Sequence, residues 1–419
     1  MLIQTILNRL QKQPGFVYGK VTVSPVTAHA LRLDVQVRSR KGCRGICSKC
    51  TKRRPTYDHQ PQRAFQFVPL WGIAVFLLYA PRRVDCHECG VTIELLPWAE
   101  GKHHLTTTFA WFLASWAKLL CWKDVSERFH VSWQTVFRAV GAAVLWGLRH
   151  RNLDGIRSIG VDEFAWHKRH KYLTFVYQID HGCKRLLWIG RNRTLVTFND
   201  FFDWLGKERS ALIEFVASDM WKAFIGVIAR KASSAVHVLD RFHVAKMLGE
   251  AVDKVRRLEV RSLRVAGRPA FLTKTRWILL RRHSNRSRSE RTHLAELVRL
   301  NLRSARACLL KEHFDRFWKY VSPLWGGRFL DRWCTEAMRS RLEPIKKVAR
   351  SLRTHRPLLL NWFRARQAFS HGATEGLNNK ARSVTKRAYG FRSYLHAQVA
   401  LYHAMGQLPE PDWLTHRFW

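Results

Sequence analysis

A mixed α/β sheet domain with a long helical insertion, preceded by a cysteine-bearing β domain and a helix-turn-helix domain, is the multi-domain fold class this sequence predicts. Three observations predict it. Two Cys-x-x-Cys pairs bracket a strand-rich segment, a stretch of helical periodicity fills residues 105 to 150, and from Ser158 short apolar strands alternate with helices before a long basic helical block. A length of 419 residues, with 47% hydrophobic content, 18 Trp and 24 Phe, supplies packed cores for several domains and excludes a disordered chain.

The first 40 residues carry an alternating run, Leu31-Arg-Leu-Asp-Val-Gln-Val37, with the period of a half-buried strand. Cys47-Ser-Lys-Cys50 and Cys86-His-Glu-Cys89 follow, 35 residues apart, with the strand-like Phe65-Gln-Phe67 and Ile73 to Tyr79 between them. Each pair can aim two thiolates at one ion from a tight turn, so Cys47, Cys50, Cys86 and Cys89 are expected to hold a structural Zn²⁺. Cys43 and His87 stand nearby as substitute ligands. Nine cysteines, clustered in this way, suit a reducing compartment with a metal rather than a disulfide framework.

Phe109, Leu113, Trp116, Leu119 and Leu120 are expected on one face of the next helix. Lys123 to Phe129, a turn at His130-Val131, Ser132 as N-cap and Trp133 to Val140 then have the layout of a helix-turn-helix, with Gln134, Thr135 and Arg138 facing a major groove. Strands are predicted at Ser158 to Val161, Tyr172 to Ile179, Arg185 to Ile189, Ile213 to Ala217 and Ala235 to Leu239. From Arg241 to about Arg366 the pattern is helical and very basic, as in Arg281-Arg-His-Ser-Asn-Arg-Ser-Arg288, which reads as an insertion in the sheet domain. The expected domains are 1–100, zinc-binding; 101–152, helix-turn-helix; 153–250, catalytic, first part; 251–366, helical insertion; and 367–419, catalytic, second part with the tail.

Seventy-three basic residues against 31 acidic ones leave a formal charge of +42, so the expected partner is a polyanion. Negative charge gathered at one place in such a chain points to a cation there. Asp162 is read as ending the first apolar strand, Asp219 as ending the fourth, and Glu375 as opening a helix behind Thr374 as its N-cap. Carboxylates brought that close repel one another unless divalent ions lie between them, and two Mg²⁺ (or Mn²⁺) ions roughly 3.5 to 4 Å apart suit in-line attack on a phosphodiester. Asp240, with His243 in Asp240-Arg-Phe-His243, is the rival for the second ligand position or an auxiliary to it. The opening Met-Leu-Ile-Gln-Thr-Ile-Leu has too short an apolar run for a signal peptide, and Trp71 to Ala80 is far short of a bilayer span, so a cytoplasmic protein without a membrane partner is expected.

Taken together, the cysteine pairs, the helix-turn-helix, Val161-Asp-Glu-Phe-Ala-Trp-His167, Ser218-Asp-Met-Trp221, Leu239-Asp-Arg-Phe-His-Val244 and Thr374-Glu-Gly-Leu-Asn-Asn-Lys380 running on to Arg387-Ala-Tyr-Gly-Phe391 resemble bacterial insertion-sequence transposases of the ISL3 type over nearly the whole chain. The resemblance implies an RNase H-like catalytic domain interrupted by a helical insertion. It also implies a DDE triad of Asp162, Asp219 and Glu375; Lys380 and Arg382, on the same helix as Glu375, are expected DNA contacts. The expected activity is binding of terminal inverted repeats, hydrolysis of the strand and transfer of its 3′ end to double-stranded target DNA, in a dimer or larger synaptic assembly near the nucleoid. The first cysteine pair departs from the usual knuckle, because Thr51 stands where a Gly usually follows. The alternative is a zinc-containing DNA-binding regulator with an inactive catalytic domain.

Overall fold

A computed structural model describes residues 3–27, 30–101, 103–167, 171–268, 270–365 and 372–414. The domain boundary expected at 366/367 and the last five residues of the tail lie outside the described residues.

The N-terminal region runs through α1 (Ile3–Leu10), β1 (Phe16–Thr27), β2 (Ala30–Ser39), β3 (Gly45–Ile46), β4 (Arg53–Arg54), β5 (Thr56–His59), β6 (Arg63–Leu70), β7 (Ile73–Tyr79), β8 (Arg82–Cys86) and β9 (Gly90–Ile93). A four-stranded sheet, ordered β1-β2-β7-β6, gathers Leu33, Val35 and Val37 with Phe65, Val75, Leu77 and Trp98 on one face, as the alternation in β2 predicts. The cysteines sit on smaller sheets, β3-β4 and β5-β8-β9, whose apolar core is little more than Val84 and the cysteines themselves. A buried ion pair joins the two parts. Arg82 Nε donates to Glu94 Oε2 at 2.9 Å, the Tyr79 hydroxyl donates to Glu94 Oε1 at 2.6 Å, and Arg82 Nη1 donates to the Cys43 carbonyl at 2.7 Å.

Three helices follow: α2 (Thr107–Leu119), α3 (Trp122–Arg128) and α4 (Trp133–His150). Ser132 caps α4 by accepting from the Thr135 amide at 3.1 Å, and His130 makes the turn with φ +50°. Phe109 and Leu113 are buried as expected, but Leu119 is 56% exposed. At 100° per residue, position 119 falls off the stripe that 109, 113 and 117 share.

The central sheet is built from β10 (Ser158–His167), β11 (Lys171–Asp180) and β12 (Cys183–Arg191), then, after α5 (Leu195–Leu205) and α6 (Lys207–Ala211), from β13 (Phe215–Ser218), α7 (Lys222–Lys231) and β14 (Val236–Leu239). Its order is β12-β11-β10-β13-β14, with antiparallel pairing among the first three and β13 and β14 parallel to β10. Both faces are covered, so β11 is buried continuously from Leu173 to Ile179, Thr174 and Gln178 included. Phe175, Tyr177 and Ile179 join the large helical core on one side, and Val176 packs with Phe198, Phe201 and Phe224 of α5 and α7 on the other.

Among the described residues seven α-helices then form the predicted helical block: α8 (Arg241–Val265), α9 (Arg276–Leu280), α10 (Arg288–Arg299), α11 (Arg303–Phe314), α12 (Pro323–Arg339), α13 (Glu343–Thr354) and α14 (Arg356–Arg364). Asn361 Nδ2 on α14 donates to the His237 carbonyl of β14 at 2.8 Å, tying the block to the sheet edge. The chain returns through α15 (Ala373–Arg387) and α16 (Tyr394–Met405). Among the described residues no helix is long and apolar enough to cross a membrane.

Candidate active site

Asp162 lies in the middle of β10, not at its end: it pairs with Phe175 of β11, and the strand continues to His167. What ends is the neighbour. The parallel pairing of β10 with β13 stops at Gly160 and Ala217, so the Asp162 carboxylate emerges just beyond the shorter strand. Asp219 is the first residue after β13, and its Oδ1 accepts from the Trp221 amide at 3.0 Å. Asp240 is the first residue after β14 and N-caps α8, accepting from the Phe242 amide at 2.8 Å, while its own amide donates to the Ser218 carbonyl at 2.8 Å. Three aspartates are thus set on three adjacent strands, two at strand ends and Asp162 within β10 where its pairing with β13 has stopped.

Glu375 comes from α15, which packs across β10. Thr374 is not the N-cap of that helix: Gly372 takes that position, and Thr374 is buried in the first turn against Gly160, where a Cβ would stand only 2.7 Å from its hydroxyl oxygen. A glycine two residues before Asp162 therefore lets α15 approach closely. Three residues after Glu375, Asn378 is buried and donates from Nδ2 to Asp162 Oδ2 while its Oδ1 accepts from the Tyr177 hydroxyl at 2.7 Å. Neither Asn378 nor Tyr177 stands among the site residues expected from the sequence. The signal for Asn378 was its spacing from Glu375, which puts both on one helix face.

His243 stands between two of the acids, its Nε2 3.9 Å from Asp162 Oδ1 and its Nδ1 3.9 Å from Asp240 Oδ2. That buried Nδ1 has no hydrogen-bond partner among the described residues. Burial is the main force raising the Asp162 carboxyl above the ordinary range; the charge of Asp219 adds to it, and His243, the Glu163 amide and Asn378 oppose it. Asp240 is likewise raised chiefly by burial, with Asp162 and Glu375 adding. Glu163, paired with Arg193, is pushed up to about 7, first by burial and then, against the pull of Arg193, by Asp219 and Asp162. Charge links Asp162 to Asp219, and Asp240 to Asp162 and Glu375, so these acids are neighbours and offer hard oxygen donors, the chemistry that suits Mg²⁺ or Mn²⁺, although among the described residues their oxygens do not all lie within 4.8 Å of one another.

The cysteine centre is tighter. Cys47, Cys50, Cys86 and Cys89 are the one group of potential metal ligands among the described residues whose donor atoms all lie within 4.8 Å of one another. Zn–S bonds near 2.3 Å put tetrahedral sulfurs about 3.8 Å apart, and Cys50 Sγ and Cys86 Sγ are 3.5 Å apart, so the set can hold zinc. The Cys47 thiol is pulled down to about 6, first by the Cys50 amide and then by the Thr92 hydroxyl. Cys43 and His87 are not part of the cluster. Thr51 takes φ +58° beside the φ +72° of Gly90 after the second pair, so the knuckle turn forms even with a β-branched residue in the left-handed region.

Of the expected DNA contacts, Gln134, Arg138, Lys380 and Arg382 are exposed, whereas Thr135 is half-buried with its hydroxyl 2.8 Å from that of Ser132. A transposase family profile, DDE_Tnp_ISL3, matches residues 159–400, the segment that carries the aspartates, the helical block and α15. The chain belongs to the ISL3 transposase family. It is also 29% identical over 394 residues, 86% of each chain, to the transposase for insertion sequence element IS1557 in two strains of Mycobacterium tuberculosis. Likeness at the same identity extends over 351 residues, 83% of this chain and 85% of the relative, to the transposase for insertion sequence element IS1001 of Bordetella parapertussis.

Proposed function

We propose that the chain moves an insertion sequence: it binds the terminal inverted repeats, hydrolyses a phosphodiester at each element end and joins the freed 3′-hydroxyl to target DNA. The observation that carries this reading is the placement of Asp162, within β10 just past the end of its pairing with β13, beside Asp219 and Asp240 at the ends of the next two strands, with Glu375 brought in by the first turn of α15, in a chain with a formal charge of +42. In this reading the β10–β14 sheet is an RNase H-like catalytic domain, and Asp162, Asp219 and Glu375 are the ligands for two Mg²⁺ or Mn²⁺ ions. Such ions would activate the attacking oxygen and stabilise the leaving one. The chain's own contribution is positional. Asn378, held by Tyr177, fixes one oxygen of Asp162, and the cap on α8 fixes Asp240 and, one turn on, His243.

Asp240 shares charge with Asp162 and Glu375 as Asp219 does with Asp162, which keeps Asp240 beside Asp219 as a candidate for the second ligand position. The α3–turn–α4 unit is proposed as the helix-turn-helix that reads the element end, through exposed Gln134 and Arg138 at the start of α4. The zinc lobe would extend that contact. The other basic residues would give salt-dependent affinity for any duplex. Two ends must be cut in concert, so the working form is proposed to be a dimer or larger assembly, associated with the nucleoid.

The test is cleavage and joining of a labelled duplex bearing the element's own end, with Mg²⁺ or Mn²⁺, for wild type and for Asp162→Ala, Asp219→Ala, Asp240→Ala and Glu375→Ala. Wild type is expected to cut and join, while the Asp162, Asp219 and Glu375 variants bind without cutting. Full loss in Asp240→Ala together with retention in Asp219→Ala would reassign the second ligand. Tight binding by wild type without cleavage under either metal would leave a DNA-binding regulator.

A further inference from the structure

A cavity of about 440 Å³ opens between α2, the turn into α3, the first residue of α4 and the α15–α16 corner, well away from the acids. Its walls carry rings at stacking distances: Trp122 and Trp133 have centroids 5.7 Å apart, and His396 lies 5.3 Å from Trp133. Arg392 places its guanidinium 5.3 Å from the centre of the Trp133 ring. At the mouth stands Tyr389, 96% exposed.

The position of Tyr389 is imposed by the backbone. Helix α15 ends with the Gly390 amide donating to the Thr385 carbonyl at 3.0 Å, and Tyr389 takes φ +52° in a place where Gly or Asn is usual. An aromatic residue held in a left-handed conformation with its whole ring in water gains nothing from the fold. Positive charge surrounds the opening: Lys123, Arg387 and Arg392 all line it, and Arg387 is anchored by donating to the Lys118 and Leu119 carbonyls at the end of α2. Asp124 is the one carboxylate in the lining, placed to accept from an exocyclic amine.

We propose that this cavity receives one unpaired nucleobase of the DNA strand, stacked on Tyr389 at the mouth, with its flanking phosphates on Arg387, Arg392 and Lys123. The proposal rests on the reading of DNA as substrate and adds a second contact to it. Rings and cations alternating around one concavity suit a base with its phosphates better than any apolar partner. Tyr389 and Glu375 lie near opposite ends of one helix, about 20 Å apart at 1.5 Å per residue. At 3.4 Å per nucleotide of one strand, the held base belongs roughly six nucleotides from the cut. The site therefore grips an unwound flank, not the scissile phosphate.

The experiment measures affinity of the zinc-loaded full-length chain, without added Mg²⁺, for a labelled duplex with a short single-stranded deoxycytidine overhang and for the same duplex with abasic sites in the overhang. Wild type is expected to prefer the base-bearing probe, Tyr389→Ala to lose about 5- to 100-fold on that probe only, and Tyr389→Phe to retain the preference. Equal affinity of wild type and Tyr389→Ala for the base-bearing probe, or equal weakening on both probes, overturns the proposal and leaves the transposase reading standing. Wild type that binds neither duplex overturns both.

Discussion

The cysteine centre and the acid site both gather four potential ligands, yet they are built in opposite ways. The cysteines come from two local turns, lie within 4.8 Å of one another and sit over almost no other core. The acids come from two strands' ends, a mid-strand position and a helix more than 130 residues further along, and a large hydrophobic core holds them in place whether or not anything binds. A closed set of thiolates suits a structural ion on which local folding depends, whereas an open set of carboxylates suits ions that arrive with substrate.

The largest consequence concerns zinc. Structural zinc contributes on the order of 10 kcal/mol in small metal-dependent domains, so Cys50→Ser or a strong chelator is expected to unfold the lobe of β3, β4, β5, β8 and β9. Hydrogen exchange should then show lost protection there and unchanged protection in β10 to β14. Uniform loss across both regions would break the contrast.

The acid site should respond to protons instead. His237, on β14 under the site, is buried with its Nε2 2.8 Å from the Ser218 hydroxyl, and burial, assisted by His355, lowers it to about 4. A depressed histidine binds its proton more weakly folded than unfolded, so its contribution to stability is complete above pH 6.5 and is lost as pH falls toward 4. At 1.36 kcal/mol per pKa unit the loss reaches about 3 kcal/mol, and His237→Gln should flatten the pH dependence of the urea midpoint over that window. An unchanged slope in the variant would place the titration elsewhere.

Positioning comes next in size. Asn378→Ala frees the Asp162 carboxylate without touching a proposed ligand, and removal of such supporting partners typically costs about 10- to 100-fold in metal affinity. The Mg²⁺ concentration for half-maximal cleavage should rise by that factor, beside a stability loss of about 1–3 kcal/mol because the buried Tyr177 hydroxyl loses its acceptor. Smallest is the knuckle: Thr51→Gly relieves a β-branched residue at φ +58° and should stabilise the zinc lobe by about 1 kcal/mol, read as a higher chelator concentration for zinc release. A destabilised lobe would mean that the Thr51 side chain makes a contact worth more than its strain.

The same division decides what could be read in advance. The grouping of the four cysteines was legible because each pair is a local turn, and the alternation of Leu33, Val35 and Val37 named the face of β2 that is buried. The strand-helix order of the central region was legible in its apolar runs, but the position of Asp162 was not, since no feature of β10 records where β13 stops pairing. Thr374 looked like a cap because its residue type favours one; packing against Gly160 took it into the helix instead. The Tyr177–Asn378–Asp162 chain joins residues 216 and 201 positions apart, and only the folded sheet brings them together.

The central claim is that Asp162, Asp219 or Asp240, and Glu375 share divalent ions. Iron-directed backbone cleavage tests it most directly: Fe²⁺ is exchanged for Mg²⁺ in the zinc-loaded chain, peroxide and ascorbate are added, and the cut positions are mapped. Cuts are expected to cluster near residues 162, 219, 240 and 375, to be suppressed by excess Mg²⁺ and to be absent in Asp162→Ala. Cuts that are scattered, or that persist unchanged in Asp162→Ala, would contradict it.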